Sequence, residues 1–168
     1  DSLYNMPLFQ RPYAWTVKKH LSDYKDDLES LMDVGTNPNE DLKLFLGAII
    51  IQESASEYTS TESKEFDVID GQQRLTTIYL TLLALCHHAF ENGYEESITN
   101  IKNKFLLSQG FSTKRYPKIT PTSMDTMQLK KIFSFIPSID PVIPSPRGPE
   151  KGKLLSAYNF IKKEIVDK

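Results

Sequence analysis

Asp70, Gly71, Gln72, Gln73 and Arg74 are consecutive, at the point where a short apolar run over 65–69 gives way to an apolar pattern of helical period. A helix start exposes backbone N–H groups and a partial positive charge, so it suits a phosphate. Gly71 has no Cβ, which lets the turn be tight and a ligand approach the backbone. Arg74 falls in the first turn, where a cation opposes the helix dipole unless an anion faces it. Its planar guanidinium matches phosphate oxygens in pairs. Gln72 and Gln73 supply amides able to orient a phosphate, a base edge or a water, and Thr76 and Thr77 add hydroxyls. Asp70 has two readings. It is the N-cap of the helix, accepting from the Gln73 N–H, or it holds Mg²⁺ between its carboxylate and phosphate oxygens. For Arg74 the plain alternative is a surface arginine in an ordinary salt bridge, and for Gly71 a turn glycine without a ligand.

A second polar cluster lies at residues 9–15, "FQRPYAW". Pro12 fixes a turn there. Arg11 is a candidate second phosphate ligand beside Gln10, and Tyr13 or Trp15 could face a base or steady Arg11. The plainer reading puts Phe9, Tyr13 and Trp15 in the core. Lys114, Arg115 and Lys118 form a small basic group that could extend an anion site, though a solvated turn is the first reading. His20, His87 and His88 show no metal-ligand spacing, and Cys86 reads as a core residue.

Several elements must position these groups. Residues 6–13 read as extended, ending at a turn, because Pro7 and Pro12 disfavour helix before them. A helix is expected over 16–32, capped by Thr16. The apolar run 43–51, "KLFLGAIII", reads as a strand buried on both faces, with Gly47 marking close packing. Residues 52–64 read as a polar connection and 65–69 as a second strand. The helix from 72 or 73 to about 90 is expected to bury Leu75, Ile78, Leu82, Leu85 and Ala89. A helix follows over 95–107, a short extended piece at 115–119, and a helix over 123–135 capped by Thr122 or Ser123. Residues 137–152 hold five prolines and two glycines, the composition of a partly disordered loop. A last helix starts near Lys153, with Leu154, Tyr158, Ile161 and Ile165 on one stripe. The fold class is α+β: residues 1–92 form a core with a small mixed sheet, and 93–168 a mainly helical extension of the same domain.

Bulk properties bound the function. With 168 residues the chain can build one real core. Its net charge of −2 argues against a nucleic-acid binder that is basic all over, though not against a local basic groove. One cysteine rules out an internal disulfide and a cysteine-rich zinc site, in keeping with the cytoplasm. No apolar run has the length of a membrane span, and no signal-peptide pattern is present. The chain starts without Met and stops inside a helical pattern, so it reads as a domain cut from a longer protein.

The blocks "FQRPYAW", "LFLGAIII" and "VIDGQQRLTTIYLTLLAL" come in one order that resembles the N-terminal DGQQR domain of GmrSD-type modification-dependent restriction endonucleases. "RYPKITPTSMDTMQLKKI" and "KGKLLSAYNFIKKEI" are similar to later segments of that family, with less specificity. The resemblance implies a ParB/sulfiredoxin-like fold that binds and hydrolyses a nucleoside triphosphate with a divalent metal, Mg²⁺. It implies a bacterial anti-phage role, with DNA reached through the full-length protein and a C-terminal His-Asn-His nuclease domain or subunit. By position, the nucleotide motif falls on Asp70, Gly71, Gln72, Gln73 and Arg74, and the upstream motif on Gln10, Arg11, Pro12 and Tyr13. The three histidines do not compose such a nuclease. A sulfiredoxin-type reductase would need a cysteine where Gln72 stands. The alternatives kept open are a nucleotide, DNA or partner-binding module without hydrolysis, and a nuclease acting at this junction.

Overall fold

The computed structural model describes residues 2–34, 45–54, 64–108 and 114–168. Strand β1 (Ser2–Asn5) opens the chain. A π-helical turn (Val17–Leu21) runs into α1 (Ser22–Val34). β2 (Ile50–Glu53) and β3 (Lys64–Asp70) follow, and β3 hands over to α2 (Gln72–Glu91). Next come α3 (Glu95–Ile101), continued by a π-helical segment (Lys102–Leu106), and the two-residue β4 (Ile119–Thr120). A 3-10 turn (Ser123–Asp125) leads into α4 (Thr126–Ser134), and α5 (Lys153–Ile161) ends in a further π-helical segment (Lys162–Val166). The expected α+β class with a small mixed sheet is what forms. Among the described residues no helix is long and apolar enough to cross a membrane.

The sheet order is β2-β3-β1-β4. β1 is parallel to β3 on one side and to β4 on the other, while β2 runs antiparallel to β3. Side chains alternate across a strand. Tyr4, Phe66, Val68 and Ile119 therefore share one face, on which Tyr4 and Phe66 stack at 5.7 Å and Val68 and Ile119 join the core. α2 runs through that core, with Tyr79, Leu80, Leu83, Ala84 and Cys86 buried against α3, α5 and the C-terminal segment. β4 comes from the second half of the sequence, so the helical extension completes the sheet of the first ninety residues.

Several expectations change. β1 lies upstream of the extended stretch read at 6–13. The apolar run at 43–51 is not a strand buried on both faces. Only Ile50 and Ile51 of it are in β2, which pairs with β3 alone among the described residues, with a register shift between Ile50 and Ile51. Ile50 is 54% exposed. Apolar content marks a segment as sticky, but it does not say how many neighbours the strand has. Residues 43–44, and 55–63 of the polar connection, lie outside the described residues. The buried stripe of α2 is rotated from the expected one: Leu85 is exposed, and Gln72, Gln73, Thr76 and Thr77 are buried at its start. Thr16 and Thr122 precede their helices with extended-type backbone, yet neither side chain makes a capping bond. The proline-rich stretch 137–152 is held in place, with Ile139 buried, the Val142 N–H on the Arg115 carbonyl (2.8 Å) and the Arg147 N–H on Thr126 Oγ1 (2.8 Å).

Candidate functional site

Gly71 is the residue before α2, with φ 87° and ψ 10°. That left-handed backbone is strained for any residue with a Cβ. An added Cβ would also lie 3.0 Å from the Ala48 carbonyl and 3.1 Å from Ile49 Cα. Segment 47–49 therefore lies directly against the start of α2. Asp70 is not the N-cap that its position suggested. It ends β3 with its side chain 65% exposed and meets Arg74 Nη2 through Oδ2 at 3.5 Å, a loose contact. The strand runs one residue further than expected, which moves the cap to Gly71.

Arg74 leans back over segment 47–49. Its Nη2 donates to the Ala48 carbonyl at 2.6 Å, and a Cβ at Gly47 (φ 92°) would sit 2.7 Å from Nη1. Gly47 thus makes room for the guanidinium, which gives the close packing read at this glycine a specific partner. Arg74 Nε is buried with no hydrogen-bond acceptor. The N–H groups of Gln72, Gln73 and Arg74 have no protein acceptor among the described residues, while the Leu75 N–H closes the first turn on Gly71.

The upstream cluster is brought against this junction. Gln10 Nε2 donates to the Ile69 carbonyl (2.9 Å), and Gln72 Nε2 to the Arg11 carbonyl (3.1 Å). Gln73 accepts from the Ala14 N–H (2.7 Å) and points its amide at the Pro12 carbonyl (3.5 Å). Two glutamines buried at a helix start are thus explained by the backbone of loop 11–14, which they satisfy. Together Gln10, Arg11, Trp15 and residues 70–74 line a pocket of about 250 Å³. Arg11 is exposed at its edge, and Trp15 stacks on His20 (5.4 Å, 7° between planes).

Three residues of the sequence-based site lie elsewhere. Tyr13 is buried, and its hydroxyl meets Thr77 Oγ1 at 2.8 Å, while Thr77 donates to the Gln73 carbonyl. Burial pushes the Tyr13 phenol well above its ordinary pKa. Thr76 is buried as well, and none of the three lines the pocket. The pairing repeats one turn on, where Tyr24 meets Thr81 at 3.0 Å. Tyr13 and Thr77 thus fix the loop to α2 from inside.

Asp125 escaped the sequence reading. It is 4% exposed, and its Oδ2 accepts from the Tyr13 N–H (2.7 Å) and from Thr122 (3.1 Å). Gln128 reaches its other oxygen at 3.4 Å and accepts the Leu155 N–H of α5 at 3.1 Å. Burial raises the Asp125 pKa, and the bonds from Tyr13 and Thr122 oppose that. The only local hint is Thr122 three residues before an acid at a helix start, a pattern that predicts a cap. Cys86 is buried as expected, and burial pushes its thiol up to about 11, which leaves it inert.

A family model for the N-terminal domain of GmrSD restriction endonuclease matches residues 1–167. The chain belongs to this family. A comparison with curated proteins gave no match. The GmrSD-type assignment covers the whole described fold, so this is a restriction-enzyme domain, and both polar clusters fall within it. The pocket at the β3–α2 junction is where that domain gathers arginine, helix-start amides and a carboxylate.

Proposed function

We propose that this GmrSD-type domain binds a nucleoside triphosphate at the β3–α2 junction and hydrolyses it. The observation that carries this reading is the convergence of Arg11, Arg74, the first N–H groups of α2 and Asp70 on one pocket of about 250 Å³. Arg74 has a buried, unpartnered Nε there. Phosphoryl transfer needs positioning and charge stabilisation more than a nucleophilic side chain. The amides of 72–74 and the two guanidinium groups receive phosphate oxygens. Gln73 spends its amide on loop 11–14 and so holds Arg11 in place. Gln72 Oε1 has no partner among the described residues, so orienting the attacking water falls to Gln72.

A divalent cation fits this donor set. Mg²⁺ is commonly held by one or two carboxylates, with waters and substrate phosphates completing its shell, and Asp70 offers one exposed, loosely paired carboxylate. When bound, Mg²⁺ would neutralise charge on the transferred phosphoryl group. Triphosphate binding and phosphate release, measured with the protein and with Arg11→Ala and Arg74→Ala, test the reading. Binding and turnover in the parent with loss in both variants is expected. Equal turnover in all three would place the chemistry elsewhere.

A second reading is binding without turnover, the domain acting as a regulatory module. It is favoured by the Arg74 contact with the Ala48 carbonyl and by the commitment of Gln73 to the loop. Tight triphosphate binding with no released phosphate would select it. In either case the domain would pass nucleotide state to a nuclease domain or subunit acting on modified phage DNA.

A further inference from the structure

Positive charge is concentrated in one part of the chain. Residues 97–124 contain Lys102, Lys104, Lys114, Arg115 and Lys118 and no acid, in a chain of net charge −2. The fold brings the two ends of this stretch together. An antiparallel bridge joins Leu107 to Pro117, the Ser108 N–H bonds the Tyr116 carbonyl (2.8 Å), and the Lys118 N–H bonds the Leu106 carbonyl (2.8 Å). Lys118 Nζ then reaches the Lys104 carbonyl at 3.0 Å, and Arg115 is held by Asn103 at 2.5 Å.

Neutral groups hold two of these cations, the Lys104 carbonyl accepting from Lys118 Nζ and Asn103 Oδ1 from Arg115. Lys102, Lys104 and Arg115 have no carboxylate at ion-pair distance among the described residues, whereas Lys25, Lys162 and Lys168 all have one. The cations border two hollows. Lys104, Phe105 and Lys118 line one of about 460 Å³, and Lys102, Lys114 and Arg115 line another of about 240 Å³ that also holds Asp140. Phe105 is 44% exposed and lies under the Lys104 ammonium, 5.2 Å from its ring centre.

We propose that this surface docks the phosphate backbone of double-stranded DNA, apart from the nucleotide pocket. Gathering like charges costs self-repulsion, which a polyanion relieves with release of its counterions. The cations are spread over two hollows and do not converge on one point, which fits a row of phosphates better than a single one. Single-strand sites present several aromatic platforms. Among the described residues that line the two hollows, the one exposed ring, Phe105, is already covered by Lys104. Backbone contacts of this kind set position, not sequence.

Affinity for a mixed-sequence 30-base-pair duplex, measured by fluorescence anisotropy across a salt series, tests the proposal. The triple variant Lys102→Gln, Lys104→Gln, Arg115→Gln should bind about tenfold or more weakly near 100 mM salt, with a log–log salt slope shallower by roughly 2 to 3. The single variant Lys104→Glu at an exposed position should weaken binding without risk to the fold, which circular dichroism checks. Lys18→Gln, Lys19→Gln, Lys151→Gln, an equal charge change elsewhere, should leave affinity nearly unchanged. Arg11→Ala with Arg74→Ala should retain duplex binding, even if triphosphate binding is lost. The proposal fails if the parent does not bind duplex, if the patch variants match it, if the control triple weakens binding equally, or if the pocket double variant abolishes it.

Discussion

At its start, α2 faces Arg11 and Arg74 with one loosely held carboxylate, Asp70, between strand and helix. At its end, His87, His88 and Glu91 meet Lys162 and Asp167 in a closed network. Lys162 Nζ bonds Glu91 at 2.7 Å and Asp167 at 2.5 Å, and His88 bonds Asp167 at 2.8 Å. His88, Glu91 and Asp167 approach closely enough for a metal ion, yet the Lys162 ammonium already satisfies both acids. Burial alone would raise the Asp167 pKa, but bonds from Lys162 and His88 hold it below the usual carboxylate range. The difference teaches where to look for ligand chemistry. A charge matched by its neighbours stabilises a tertiary contact, and a charge left under-matched beside a hollow is available to something else.

The strongest way to break this comparison is to remove the support behind the pocket. Asp125→Ala strips the acceptor from the Tyr13 N–H, the Thr122 hydroxyl and the Gln128 amide at once. Buried donors left unpaired cost about 1–3 kcal/mol each, partly recovered by relaxation, so a loss of about 3 kcal/mol is expected. That corresponds to a fall in Tm of about 6–12 °C for a domain of this size. Thermal unfolding measures it. A fall under a couple of degrees would show that Gln72, Gln73 and the Tyr13–Thr77 bond hold loop 11–14 without Asp125.

Gly47→Ala acts on the same end with a smaller effect. The left-handed backbone makes alanine unfavourable by about 1–2 kcal/mol, and the new methyl group presses on the guanidinium of Arg74. Stability should fall by about 1 kcal/mol, and triphosphate affinity should weaken even where the fold survives. Unfolding and binding measured on one preparation separate the two. Unchanged affinity would show that the guanidinium position does not matter to the ligand.

Much of this site was legible because its chemistry is local. The strand–glycine–helix junction at 65–74 and the grouping of Gln10 with Arg11 followed from residue types and spacing alone. Other roles depended on tertiary contacts that spacing does not encode. Gln72 and Gln73 look like ligand groups in one dimension, and loop 11–14, which they satisfy, is some sixty positions away. Tyr13 and Asp125 are 112 positions apart, so nothing in either neighbourhood announces the bond. The α2 face was misjudged for a related reason. Its first turns bury polar side chains against that loop, which rotates the buried stripe away from the apolar one. At 43–51 the error was one of layers, since an apolar edge strand and an apolar central strand read alike.

At the closed end, Lys162→Met leaves Glu91 and Asp167 without their shared cation. The pairs are partly exposed and solvent screens them, so the loss should be about 1 kcal/mol or less. It should shrink further in high salt, which unfolding at two ionic strengths would show. A loss as large as that of Asp125→Ala would overturn the contrast between a screened network and a buried one.

The smallest expected effect is a pH dependence at His87. Its Nδ1 bonds the Tyr158 hydroxyl at 2.7 Å, and Nε2 lies 3.4 Å from Glu91. A neutral ring with its proton on Nε2 satisfies both contacts, with Tyr158 donating. Burial lowers the His87 pKa; Glu91 opposes this, Lys162 adds to it, and Asp167 opposes it. The folded chain therefore takes up this proton less readily than the unfolded one, whose histidine titrates near 6.5. Above that pH both states are neutral and the contribution is complete. As pH falls below about 6.5 the unfolded state is protonated first, and stability declines until the folded ring also titrates. Tm followed from pH 7.5 to 5 should fall more steeply in the parent than in His87→Gln, the difference between the curves isolating this ring. Parallel curves would mean that the Tyr158 contact survives protonation, with the hydroxyl turning to accept, and that this end of α2 tolerates a further positive charge.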